Sequence, residues 1–194
     1  MKKKGSVTLI VIATIAIIAV GLISLFVGKY NSIISLEENA NSELSNVKVQ
    51  LERRADLIPN LVSTVKGYMA HEEKIIDSIT EAREKMLSAN TVEEMSEAND
   101  QLSAALNSLN VVVENYPDLK SSENFINLQD ELAGTENRIA TARRDYNEAV
   151  KSYNTEIKKM PGSLVAGMMG KSEMSYFETS DESKEDVPTV DFGE

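Results

Sequence analysis

The chain of 194 residues carries 31 acidic against 20 basic side chains, a formal net charge of −11, and no cysteine. An acidic balance of this size repels nucleic acid and anionic headgroups. The missing cysteines remove disulfides, thiolate metal sites and cysteine nucleophiles together, and the length leaves room for one domain of moderate size.

Residues 1–4 are a short basic N-terminus holding Lys2, Lys3 and Lys4. From Gly5 to Gly28 no residue is charged. As a helix this stretch rises about 36 Å, enough to cross a hydrocarbon core with modest tilt. A cleavable leader has a shorter apolar core ending in a small-x-small site, whereas Leu22-Ile23-Ser24-Leu25-Phe26-Val27 offers none, so an uncleaved anchor over 5–28 is expected. Lysines precede the span, while Glu37, Glu38 and Glu43 follow Lys29. The positive-inside rule then holds the N-terminus in the cytoplasm and exports the remainder.

Residues 29–160 have helical apolar spacing throughout, which predicts an all-α, antiparallel up-and-down four-helix bundle. The first two helices are expected at Tyr30 to Arg54 and Leu57 to Ser88, with Asp56 as N-cap and Pro59 harmless in a first turn. The alternative is a helix that runs on and kinks at Pro59, leaving three long helices. Val92, Met95, Asn99, Leu102, Leu106, Leu109, Val113 and Tyr116 mark the next helix. Thr91 and Glu94 form a capping box at its start, and Pro117 closes it. A longer seam from Phe125 through Leu132, Ile139, Tyr146 and Tyr153 to Ile157 predicts a helix over Ser122 to Lys159, stopped by Met160-Pro161-Gly162. Residues 161–177 are apolar and Met-rich, a composition that packs on irregular surfaces. Residues 178–194 read as an acidic disordered tail.

Polar residues interrupt the seams. Asn99, Thr135 and Glu72 fall on apolar rows, and Gly134 sits inside a helical stretch at a cost of about 1 kcal/mol against alanine. Partners for them are at hand in Arg53, Arg54, Asp56, Asn60, Glu136, Asn137, Arg138, Arg143, Arg144 and Asn147, which with Glu72 form the candidate polar set. Two roles stay open for this set: pinning helix register from within, or holding a carboxylate or polar peptide in an inter-helix groove.

Arg53-Arg54-Ala55-Asp56-Leu57-Ile58-Pro59-Asn60-Leu61-Val62, then Val65-Lys66-Gly67-Tyr68 and His71-Glu72, resembles the LemA family of bacterial membrane proteins. Tyr116-Pro117-Asp118-Leu119-Lys120, Gly134-Thr135-Glu136-Asn137-Arg138-Ile139-Ala140 and Ala142-Arg143-Arg144-Asp145-Tyr146-Asn147 continue the likeness in order, which covers Tyr30 to about Phe177. The resemblance implies a single N-terminal anchor and a helical bundle, and implies no settled activity. Some family descriptions place the short N-terminus outside the cell; the three lysines here argue for the reverse.

No catalytic, cofactor or metal site is read from the sequence. His71 is the only histidine, and position 75 is isoleucine where a helical zinc motif needs a second one. Glu37-Glu38 and Glu93-Glu94 are sequence neighbours, so each pair diverges by about 100° on a helix. Ser63, Thr64 and Ser78 lack a base in any known arrangement, and Gly162, Gly167 and Gly170 do not form a phosphate loop. The expectation is a non-catalytic scaffold or adaptor of the cell envelope, working through unidentified envelope proteins and attached to the lipid bilayer by its anchor. A homo-oligomer is left open; nucleic acid is not a partner. The rival expectation is an envelope sensor or membrane-organising protein acting by oligomerisation or lipid contact, and the remoter one an enzyme with an unrecognised site.

Overall fold

The computed structural model describes residues 2–69 and 72–178. Six helices follow in order: α1 (Lys2–Lys66), α2 (Glu73–Ser88), α3 (Val92–Val113), α4 (Pro117–Lys120), α5 (Glu123–Lys158) and α6 (Gly162–Met169). No strand is present among the described residues. The protein is all-α, as its spacing predicts. His71 and residues 179–194, including the expected acidic tail, lie outside the described part.

One expected boundary moves. Helix α1 runs through Arg54 and Pro59 to Lys66, and Asp56 is an exposed interior residue rather than an N-cap. An interior proline costs about 3 kcal/mol, because it supplies no N–H to the carbonyl four residues back and its ring crowds that turn. Here that carbonyl is Ala55 O, and Arg83 of α2 donates its Nε–H to it at 2.9 Å. Val47, Leu51, Ala55, Ile58, Leu61 and Val65 are buried on both sides of Pro59, so apolar burial holds the helix across the defect. The break comes instead at Gly67 and Tyr68, whose amides turn back to Thr64 O and Val65 O at 3.2 and 3.0 Å.

The chain forms two compact units. The larger comprises Ser42–Asn147 with the chain from Ser175 onward, and so takes in the later part of α1, helices α2 to α4 and most of α5. Ile76, Ile79 and Met86 of α2, Met95, Leu102 and Leu109 of α3, and Leu132 and Ile139 of α5 are buried in it. Helix α3 begins as its sequence predicts: Thr91 Oγ1 accepts from Glu94 N and Glu94 Oε2 accepts from Thr91 N, both at 3.1 Å. The backbone N–H of Asn90, which donates to Glu94 Oε2 at 2.7 Å, and then that of Thr91 hold the Glu94 carboxyl below its ordinary value. Pro117 opens the short α4 at its first position, where a missing donor costs nothing.

The smaller unit comprises the chain up to Asn41 with Glu148–Met174. Its core is Ile33, Tyr153, Ile157, Val165 and Ala166, with Leu36, Met169 and Met174 packed against them. Gly162 opens α6 under the main chain of Glu156; a Cβ there would sit 2.2 Å from Glu156 O, so only glycine fits. Gly170 closes α6 with a left-handed φ of 66°. Lys171 N then reaches Ala166 O at 3.0 Å, a glycine-dependent end that satisfies otherwise orphaned carbonyls. Within this unit α1 carries the one described helix stretch apolar and long enough to cross a bilayer. From Leu9 to Val27 its large apolar side chains are exposed on all sides, as a lipid-facing helix requires.

Candidate functional site

Arg53 and Arg54 are adjacent, so on a helix their side chains diverge by about 100°. Only Arg54 faces inward: it is 4% exposed. Its Nη1 donates to Asn99 Oδ1 at 2.6 Å and to Ser103 Oγ at 3.1 Å on α3, and pairs with Glu136 of α5. One guanidinium thereby ties together three helices of the larger unit. Burial pulls its pKa below the ordinary guanidinium value, and the nearby Glu136 carboxylate offsets part of that loss. It remains a cation, as a guanidinium does in proteins. Asn99, placed on the seam by its spacing, is 1% exposed and serves as Arg54's acceptor.

Arg143 lies nearby on α5. Its Nη2 approaches Ser96 Oγ at 3.3 Å and Ser96 O at 3.5 Å, and its Nη1 stands 3.9 Å from Asp100. Burial lowers this guanidinium too, opposed first by Asp100. Two arginines and two carboxylates thus nearly cancel in charge, a condition for holding ions away from water. The Nε atoms of Arg54 and Arg143 and Nδ2 of Asn99 are buried without a protein acceptor.

Arg143 also stacks its guanidinium 5.2 Å above the Phe177 ring, and Tyr146 meets the same ring edge-on at 5.3 Å. Around the ring the chain from Ser175 to Glu178 is held by main-chain atoms. Asn147 Nδ2 donates to Phe177 O and Phe177 N donates to Asn147 Oδ1, both at 2.9 Å. Tyr146 donates its hydroxyl to Ser175 O at 2.9 Å and Ser96 to Glu178 O at 3.0 Å. The side-chain amide of Asn147 treats Phe177 as a neighbouring strand would, exchanging one donor and one acceptor. The smaller unit repeats the device: Asn154 Nδ2 donates to Met174 O and Met174 N to Asn154 Oδ1, both at 2.9 Å, while Tyr153 donates to Ser172 O at 3.1 Å.

The rest of the candidate set is dispersed. Arg53 pairs loosely with Glu131 at 3.5 Å and Arg144 with Asp145 at 3.5 Å, all four well exposed. Asp56 and Asn60 are exposed on α1. Glu72 accepts from the Tyr116 hydroxyl at 3.2 Å. Asn137 and Arg138 are exposed and line a surface groove with Glu43, Asn46, Gln50 and Asp145. Thr135 is buried but bonds its own turn, Oγ1 to Leu132 O at 2.8 Å. The structure therefore gathers Arg54, Glu136, Arg143 and Asn147, and adds Ser96, Asp100, Ser103, Tyr146 and Phe177, which seam analysis does not single out as a site. The one signal for the clasps is the Tyr-Asn pair at 146–147 recurring at 153–154. Among the described residues no group of three His, Asp or Glu stands close enough together to hold a metal ion.

An all-helical fold, one apolar helix fit to serve as a single-pass anchor, and a bundle pinned by buried arginines define a membrane-anchored helical-bundle protein. The LemA family model matches residues 43–192, most of the chain, and the protein belongs to the LemA family. Its relatives include magnetosome protein MamQ 2 of Paramagnetospirillum magneticum, 28% identical over 88% of this chain and 71% of that protein. MamQ of Magnetospirillum gryphiswaldense is 26% identical over 81% of this chain and 68% of its own length. Protein LemA of Metamycoplasma hominis is 26% identical over 84% and 75% respectively.

Proposed function

We propose that this LemA-family protein is a non-catalytic scaffold or adaptor of the cell envelope, anchored by α1 with its N-terminus in the cytoplasm, and acting through protein–protein contacts. One observation supports the reading: the Tyr146-Asn147 face of α5 holds the protein's own segment 175–177 by its main chain while Arg143 and Tyr146 seat the Phe177 ring, a mode of contact that a partner's peptide could use in its place. Amide-to-backbone exchange recognises peptide as peptide, and the ring slot adds selectivity. Arg54 and Glu136 belong to the pinning role in this reading, because their charges are spent on each other and on Asn99.

The test is photo-crosslinking of the full-length protein in its native membrane, with the crosslinker placed at exposed Arg138 or Arg144, once with Asn147 intact and once with Asn147→Ala. A discrete extracytoplasmic protein adduct that weakens in the folded Asn147→Ala protein supports the adaptor reading. Adducts with cytoplasmic proteins overturn the orientation. An adduct pattern indifferent to Asn147 removes the clasp from the interaction.

A further inference from the structure

Helix α6 buries one face and leaves the other bare. Val165 and Ala166 pack with Ile33, Tyr153 and Ile157 in the core of the smaller unit. On the far side Leu164 and Met168, four apart on α6, share one side of the helix and are 61% and 77% exposed, while Met160 in the turn just before α6 is 69% exposed. Their height relative to the anchor is fixed within the same unit. The apolar run of α1 ends at Gly28, and Lys29 Nζ holds Glu156 Oε1 at 2.7 Å. Gly162 folds directly beneath Glu156, which sets the turn 159–161 level with Lys29 to within about one helical turn. From there α6 climbs away from the span: Val165 and Ala166 meet Ile33, about 8 Å beyond Gly28 along α1, and Lys171 pairs with Glu37 at 2.6 Å.

The zone between hydrocarbon and water is roughly 5–8 Å thick on each side of a bilayer. Counted from the end of the apolar run at Gly28, these rises would put Met160 within that zone, Leu164 near its outer edge and Met168 beyond it. Lys158 pairs with Glu173 at 2.7 Å, and exposed Lys159 directly precedes Met160, a basic-next-to-apolar order that suits a headgroup boundary, with the aliphatic stem in the apolar layer and the ammonium group among phosphates. The exposed side of this turn and the apolar run of α1 belong to the same unit, so lipid that covers the one is at hand to cover the other.

We propose that the turn 159–161 and the first turn of α6 form a second membrane contact, with Met160 and Leu164 inserted at the headgroup–acyl boundary beside the anchor. The occupant is lipid; the inference does not depend on the adaptor reading and holds for either orientation of the span. Because the chain has no cysteine, Met160→Cys, Leu164→Cys, Met168→Cys and, as a reference on the larger unit, the exposed Val111→Cys each accept one environment-sensitive fluorophore. The full-length labelled proteins are reconstituted in phosphatidylcholine–phosphatidylglycerol vesicles carrying an acyl-chain quencher just below the headgroup. Quenching several-fold above the Val111 reference at Met160, less at Leu164 and near the reference at Met168 supports the contact. Quenching at Met160 no greater than at Val111 overturns it. A label shielded in vesicles that turns water-like in nanodiscs holding a single copy also overturns it, because a second copy rather than lipid would then be the cover.

Discussion

The two units solve the same problem with different materials. The smaller closes on Ile33, Tyr153, Ile157, Val165 and Ala166 and keeps ion pairs such as Lys29 with Glu156, Lys171 with Glu37 and Lys158 with Glu173 partly or well exposed at its edge. The larger places a charged side chain, Arg54, among its buried residues and meets it with Asn99, Ser103 and Glu136. Apolar contacts tolerate sliding and rotation; a forked guanidinium shared by three helices does not, because each bond has a direction. The contrast assigns general adhesion to one unit and fixed helix register to the other.

The sharpest way to break that contrast is Arg54→Ala. Removing a buried cation leaves Asn99 and Ser103 without their donor and opens space in the core, and the expected loss is about 3 kcal/mol in denaturant unfolding. Arg138→Ala, on the surface groove, should move the same midpoint by less than about 0.5 kcal/mol. Equal effects would show that Arg54 is not a pin.

Next come the two asparagine clasps. Asn154 is buried and Asn147 only half-buried, so Asn154→Ala should cost about 2 kcal/mol and Asn147→Ala about 1 kcal/mol. Amide exchange reads each locally, at Met174 and at Phe177, whose N–H groups lose their acceptors. A larger effect at Asn147 would invert the ranking that burial sets.

Arg83→Met keeps the aliphatic stem but withdraws the donor from Ala55 O, with an expected cost of about 1 kcal/mol. The same substitution in a Pro59→Ala background should cost much less, since an alanine amide returns to that carbonyl. Additive losses would refute the pairing.

The smallest effect concerns the edge of the smaller unit. Glu37 accepts a hydrogen bond from Lys171 and holds its pKa above the ordinary 10.5. A raised folded-state value means the pair's contribution is complete below 10.5 and fades as the pH climbs through the folded value. Stability should therefore decline slightly at strongly alkaline pH, and Glu37→Gln should remove that slope. An unchanged slope would assign it to other groups.

Much of this architecture could be read from the chain. The capping box at Thr91 and Glu94, the stop at Met160-Pro161-Gly162 and the polar seam positions Asn99 and Thr135 are local patterns, and local patterns survive folding. Continuity of α1 through Pro59 was legible only as the less favoured alternative, because what satisfies Ala55 O lies 28 residues away on another helix. Nor does sequence say which of two adjacent arginines turns inward; that depends on the azimuth of α1 against α3 and α5. The clasps escaped for a different reason. A seven-residue recurrence of Tyr-Asn marks one side of α5, but the extended segments it grips bind through main-chain atoms and so carry little pattern of their own beyond Phe177. Gly134 stays unexplained: nothing lies within 4 Å of where its Cβ would stand.

Pro59 and Arg83 also bear on how such a chain drifts. While alanine or leucine stands at 59, position 83 is free to vary, since every backbone group near it has a partner. Once proline is fixed there, loss of the arginine becomes harmful, and a change that was once reversible is locked behind a second one. Substitutions in this part of the protein should therefore be inherited in order, the guanidinium arriving first and the proline becoming tolerable only afterward.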